Sequence, residues 1–183
     1  MMKYFEHKKV DFVTLWRIAF FDSMTFNGKT GGSKMAAMLR PQIRKNPETL
    51  AFFEYLKAYK TLEAPYYCDK MSYSDFVQFA AAEALLFQNG TKTIHLMQYG
   101  RKDATEQEAK EFGVAPCPKE GVVKFKDEFS KRGFEDKEIV ALSFFYSAGK
   151  FIHQNQKIRN QQAIVDNYFY TTILRGEKTH EIQ

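Results

Sequence analysis

Residues 133–149, Gly-Phe-Glu-Asp-Lys-Glu-Ile-Val-Ala-Leu-Ser-Phe-Phe-Tyr-Ser-Ala-Gly, constrain the fold more than any other stretch. Glu135, Asp136 and Glu138 stand where a helix begins and its macrodipole is positive. Ile139, Val140, Leu142, Phe144 and Phe145 follow, spreading apolar surface over more than one stripe. A helix of this kind is a core helix, and the pattern predicts it over 136–149.

The 183 residues suffice for one domain with a sizeable core. Eighteen Phe and ten Tyr favour a packed globule over disorder. Lys and Arg exceed Asp and Glu by 27 − 22 = +5, and the pI is near 9.0. That excess suits an organellar matrix, an acidic partner or an RNA-rich neighbourhood. It is spread along the chain, however, and no Lys/Arg run marks a nucleic-acid arm. Cys68 and Cys117 have neither metal-ligand spacing nor a disulfide framework, so reduced thiols are expected. No apolar run approaches the roughly 20 residues that span a bilayer. The first nine residues have no secretory apolar region.

Val10 to Phe26 reads as a long apolar helix, with Phe12, Leu15, Trp16, Ala19 and Phe20 on one side. Arg17 and Phe21 lie one turn apart on another side, where i and i+4 side chains meet. Ser33 to Lys45 is a basic, irregular connection, and Asn46-Pro47 opens a helix to about Lys60. Ser72-Tyr-Ser-Asp75 has capping-box spacing and starts a helix over 73–88, stopped by Asn89-Gly90. Pro116 and Pro118 bound an irregular stretch. Phe125 and Phe129 mark a short amphipathic helix over 122–132, and a last helix is expected near 163–174. The reading is all-α, with residues 1–183 as one domain.

Several of these segments carry a family likeness. The 133–149 stretch resembles the proximal haem-ligand segment of plant-type haem peroxidases, above all ascorbate peroxidases. There the pattern is Gly-Leu-Thr-Asp-x-Asp-Ile-Val-Ala-Leu-Ser-Gly-Gly-His-Thr-x-Gly. Phe12 to Asn27 resembles the family's distal helix, and Lys29-Thr-Gly-Gly32 its following turn. Residues 72–87 are similar to a third segment, and Gly100-Arg-Lys-Asp103 to its Gly-Arg-x-Asp loop. Ala163 to Lys178 resembles a fifth. The likeness implies a haem-peroxidase-like helical domain, truncated at both ends. The family continues with further helices, one bearing the Asp that bonds the proximal His.

The resemblance also implies which residues stand at the catalytic positions. Arg17 falls on the distal Arg, Phe20 on the distal Trp and Phe21 on the distal His. Tyr146 falls on the haem-ligating His, while Phe144 and Phe145 replace two glycines. A haem peroxidase needs an axial ligand, a distal base and a cation that stabilises developing charge. Phe21 cannot transfer a proton, and loss of a general acid/base is worth about 10²–10⁴ in rate. Arg17 reads either as an electrostatic remnant or as a half-buried side chain with a partner carboxylate. Tyr146 reads either as a core Tyr with a bonded hydroxyl or as a ligand of ferric haem. Interiors are close-packed, so four bulky rings at Phe20, Phe21, Phe144 and Phe145 argue for a filled slot. The radical-forming Trp of ascorbate peroxidases has no counterpart, since Trp16 is the chain's one Trp. Asp166 falls on a structural-cation position, with Ser147 in place of a Thr ligand, and a capping or hydrogen-bonding role is expected there instead. His7, His95, His153 and His180 are scattered, which gives no zinc pattern.

The expectation is a non-catalytic, haem-free peroxidase-like protein with no cofactor and no metal. It would serve as a subunit among other proteins in a larger complex, contacting membrane only through partners. A mitochondrial inner-membrane assembly, such as a respiratory chain complex, comes first and a plastid one second. The alternative is an atypical haem peroxidase with Tyr146 as axial ligand. A second alternative is an RNA-associated organellar assembly factor. The chain's end is expected to leave bare a face of helix 136–149 containing some of Ile139, Leu142, Phe145 and Ile152.

Overall fold

The computed structural model describes residues 12–35, 54, 57–58, 70–89 and 97–147. Among them the regular structure is helical throughout. It comprises α1 (Phe12–Ser23), α2 (Tyr73–Asn89), α3 (Glu106–Glu111), a 3₁₀ turn (Pro118–Glu120), α4 (Val122–Ser130) and α5 (Asp136–Ser147). The helices expected over 10–26, 73–88, 122–132 and 136–149 are therefore present within the described residues; α1 and α4 end three and two residues early, and α2 runs one residue further, to Asn89. The one expected over 47–60 is described only at residues 54, 57 and 58, which are helical, and the one expected over 163–174 lies outside the described residues. None of the described helices is long and apolar enough to cross a membrane.

The sequence reading missed α3. Thr105 caps it: Glu108 N–H donates to Thr105 Oγ1 at 3.2 Å, and Thr105 N–H donates back to Glu108 Oε2 at 2.7 Å. This Thr-x-x-Glu pattern is a capping box that was available in the sequence.

Helix α1 is buried almost all round. Phe12, Val13, Leu15, Trp16, Ile18 and Ala19 join Phe76, Val77, Ala80, Ala81 and Ala84 of α2 in one core. The pairing follows size: the alanines of α2 recess its surface where the large rings of α1 project, as close packing requires. Gln78 adds a polar tie, donating Nε2–H to Ala19 O at 3.0 Å and to Ser23 Oγ at 3.1 Å. Phe20, Met24, Phe129 and Ile139 form a second core that α4 and α5 close.

Two reciprocal carboxylates fasten α2 at its start. Asp103 accepts from Tyr73 N–H at 3.0 Å, Ser74 N–H at 2.7 Å and the Ser74 hydroxyl at 2.6 Å, capping the helix from another segment. Asp75 accepts from Gly100 N–H at 2.6 Å and from Arg101 Nη1 at 2.8 Å. Ser72 Oγ accepts from Asp75 N–H at 3.1 Å. Only that half of the expected local box forms, because the Asp75 carboxylate is drawn away to the 100–103 loop.

After α1 the chain turns sharply. Asn27 Oδ1 accepts from Lys29 N–H at 3.0 Å and Thr30 N–H at 2.9 Å, closing an Asx turn. Gly31 has φ +91°, and a Cβ there would meet Thr25 O at 2.4 Å, so glycine is required.

The apolar face expected on α5 does not appear as drawn. Ile139 is 7 % exposed, and Leu142 and Phe145 pack on the second core. Phe125 and Phe129 of α4 share that core, which supplies the missing cover. Ile152 lies outside the described residues. Among the exposed large apolar residues are Val140 of α5, Val114, and Val122 and Val123 at the start of α4.

Candidate functional site

The positions singled out on α1 and α5 converge between the two helices. Phe20 stacks on Phe145, with ring centroids 4.8 Å apart and planes 15° from parallel. Tyr146 meets Phe20 and Phe21 edge-on, each at 5.4 Å. The ring of Phe21 lies 5.5 Å from that of Phe20. The two adjacent rings on α5 divide: Phe145 reaches both cores, whereas Phe144 packs on the α1–α2 core and meets Phe145 at 5.8 Å. A helix turns about 100° per residue, and on α5 that rotation carries Phe144 to the α1–α2 core while Phe145 faces Phe20.

Two rings from α4 complete the cluster. Phe125 lies 5.3 Å from Tyr146 and Phe129 lies 6.4 Å from it. The sequence reading placed both on an amphipathic helix without assigning them here. Their i, i+4 spacing marks one face, but the partner of that face is set by the path of residues 112–121.

Arg17 holds its guanidinium carbon 5.8 Å from the centre of the Phe21 ring. The i, i+4 meeting forms as a cation–π contact. The carboxylate expected beside it is absent among the described residues, because the ring one turn on occupies that side. Tyr146 also departs from expectation. Its hydroxyl is buried, yet it has no hydrogen-bond partner among the described residues. Rings of Phe surround it, and aromatic carbon offers no strong acceptor. Burial pushes the Tyr146 phenol well above its ordinary pKa, Arg132 pulls it partly back, and Cys117 adds to the rise.

Haem can be tested against this geometry. A flat macrocycle between two side chains needs a carbon contact of about 3.5 Å on each side, or about 7 Å between flanking rings. Phe20 and Phe145 stand 4.8 Å apart and stacked. Neither α1 nor α5 contains a histidine, and the one oxygen at the proximal position carries a phenol disfavoured as phenolate. The residues in this arrangement do not fit the group. No cluster of three metal-ligating side chains occurs among the described residues. Asp166 lies outside them, and Ser147 ends α5.

A separate cavity of about 380 Å³ opens between the 113–117 loop, the 3₁₀ turn and α4. Its lining includes Cys117, Lys124, Lys131 and Arg132, none of which the sequence reading placed in a site.

A family model described as Peroxidase matches residues 2–175. The chain is 28% identical over 172 residues to "L-ascorbate peroxidase 5, peroxisomal" of Arabidopsis thaliana, an alignment covering 88% of this chain and 57% of that protein. It is 31% identical over 117 residues to "L-ascorbate peroxidase 2, cytosolic" of the same plant, covering 62% of this chain and 45% of that one. The chain thus spans about half the length of the curated relatives it matches.

Proposed function

This chain belongs to the peroxidase family, and from that premise we propose that it is a haem-free, non-catalytic member serving as an accessory subunit of a larger assembly. The observation that carries the reading is the Phe20–Phe145 stack at 4.8 Å, closed at its side by Phe21 and Tyr146. It occupies the place where the family likeness calls for a cofactor. The same likeness puts the Phe21 ring where a proton-transferring base is required, and a benzene ring has no acidic proton to exchange. Arg17 is engaged with that ring, so the cation of the distal side is directed at Phe21.

The test is an absorbance titration of the purified protein with haemin. No saturable Soret band is expected, and turnover of peroxide should match haemin alone. A one-to-one Soret band lost in Tyr146→Phe would overturn the reading and favour Tyr146 as an axial ligand.

The subunit role draws on apolar side chains held out in solvent. Val122 and Val123 are 82 % and 85 % exposed, and Val114 is 67 % exposed. Exposed apolar side chains, when they adjoin, are what interaction surfaces present, and Val122 and Val123 are adjacent at the start of α4. The basic pI of about 9.0 supports a mitochondrial assembly as the setting. Native gels of a mild-detergent extract should show the protein migrating well above 21.4 kDa and in the mitochondrial fraction. A free monomer that captures no protein, or a soluble cytosolic pool alone, counts against this part.

A further inference from the structure

We propose that Asn27–Gly28 is a deamidation site that the fold guards, through the tie between the Asn27 side chain and the end of α3. The reaction joins the backbone nitrogen after an asparagine to that asparagine's own amide carbon. A following glycine leaves the attacking nitrogen unshielded, because it has no Cβ. Asn27 and Gly28 are both exposed. Gly28 has φ +95°, and a Cβ built there would meet nothing within 4 Å. The Asx turn, with Oδ1 accepting from Lys29 N–H and Thr30 N–H, closes a ring that contains both the amide carbon and the Gly28 nitrogen.

The guard is on the other half of the amide. Asn27 Nδ2 donates to Glu111 O at 3.1 Å and to Thr30 Oγ1 at 3.2 Å, so each of its hydrogens has an acceptor. Glu111 ends α3, where a helix leaves carbonyls without an intrahelical donor. The Asn27 amide supplies one from 84 residues away. Gly113 N–H donates to Thr25 O at 2.8 Å and seals the same junction. The fit is tight: a Cβ on Gly113 would lie 3.0 Å from Thr25 O and 3.1 Å from Asn27 Cβ. Deamidation needs Nδ2 to turn pyramidal and depart, which both of its hydrogen bonds resist. The reaction therefore proceeds from the opened turn.

The step balances with water as sole co-reactant. The Gly28 nitrogen bonds to Asn27 Cγ and gives up its proton. The Cγ–Nδ2 bond breaks, and Nδ2 leaves with that proton as ammonia. Water then opens the cyclic imide to aspartate or its β-linked isomer. Either product carries a carboxylate, which has no hydrogen to donate to Glu111 O and sets negative charge against it. The tie cannot re-form, so the modification makes each opening permanent.

The experiment incubates the full chain at mildly alkaline pH and follows conversion of amide to carboxylate by mass spectrometry. Peptide mapping separates Asn27 from the second Asn-Gly pair, Asn89-Gly90. A synthetic peptide of residues 22–33 gives the unguarded rate. Asn27 should react about tenfold more slowly in the folded protein than in that peptide, since only the opened fraction is reactive. Gly113→Ala, which presses on Asn27, and Thr30→Val, which removes one acceptor, should each move the rate toward the peptide's at unchanged helicity. Where Gly113→Ala fails to fold, Thr30→Val decides. Asn27→Asp, the product itself, should lower the melting temperature. Equal rates in protein and peptide, a rate that Thr30→Val leaves unmoved, or an unchanged melting temperature in Asn27→Asp overturns the proposal.

Discussion

Tyr146 is held by shape alone. Four Phe rings touch its ring, and its hydroxyl is buried with no partner among the described residues. A buried hydroxyl left unbonded costs about 1–3 kcal/mol, so Tyr146→Phe should raise stability by about 1 kcal/mol in urea unfolding. A loss of that size would mean the hydroxyl is bonded. The same group shapes the alkaline limb. Its folded pKa lies above the unfolded value, so the neutral phenol contributes stability in full below about pH 10. That contribution is lost as pH rises beyond the unfolded value toward the folded one. Tyr146→Phe should flatten the decline of melting temperature above pH 10. Phe20→Ala, by contrast, opens a void under two rings and should cost about 3–5 kcal/mol.

Helix α2 depends on partners far away in sequence. Asp103 serves three donors at its first turn, so Asp103→Ala should cost about 1–2 kcal/mol, seen as a lowered melting temperature. Asp75 works in the opposite direction, from the helix to the loop. Burial pushes its carboxyl up, but Gly100 N–H and Arg101 outweigh that and hold it below its ordinary value. Its contribution is therefore complete above about pH 4 and disappears as pH falls through the lowered folded value. The acid limb of the stability profile should flatten in Asp75→Asn, together with a loss near neutral pH. An unchanged acid limb would show that the Asp75–Arg101 contact does not form in solution. Both carboxylates lie in segments that resemble the family, yet neither residue's role follows from local spacing. Ser72-x-x-Asp75 reads as a box closed on itself, whereas the observed partners are 25 to 30 residues away.

Across the whole molecule the question is whether peroxidase chemistry could be restored. Phe21→His/Tyr146→His returns imidazoles to both positions but leaves Phe20 stacked on Phe145. The double variant should bind no haem, show no Soret band and have no peroxidase activity above background. Haem uptake by that variant would mean the two rings part at little cost and the slot is merely closed.

Residue order alone located α1, α2, α4 and α5, though it passed over α3. Burial of α1 follows from apolar residues at nearly every position, and the start of α5 from its acidic first turn. The convergence of Phe20, Phe21 and Tyr146 was legible too, because the family likeness put two distant segments at one place. The partition of Phe144 from Phe145 was not, since it depends on the rotation of α5 about its axis, which packing against α1 and α4 decides. Nor was the unbonded Tyr146 hydroxyl: a sequence names a donor, but only the assembled surroundings decide whether an acceptor lies within reach. The same holds for the carboxylates that fasten α2 and for the cavity beside Cys117. Local propensity acts over a few residues of chain, while hydrogen bonds and cavities are made by whatever surfaces the folded chain presses together.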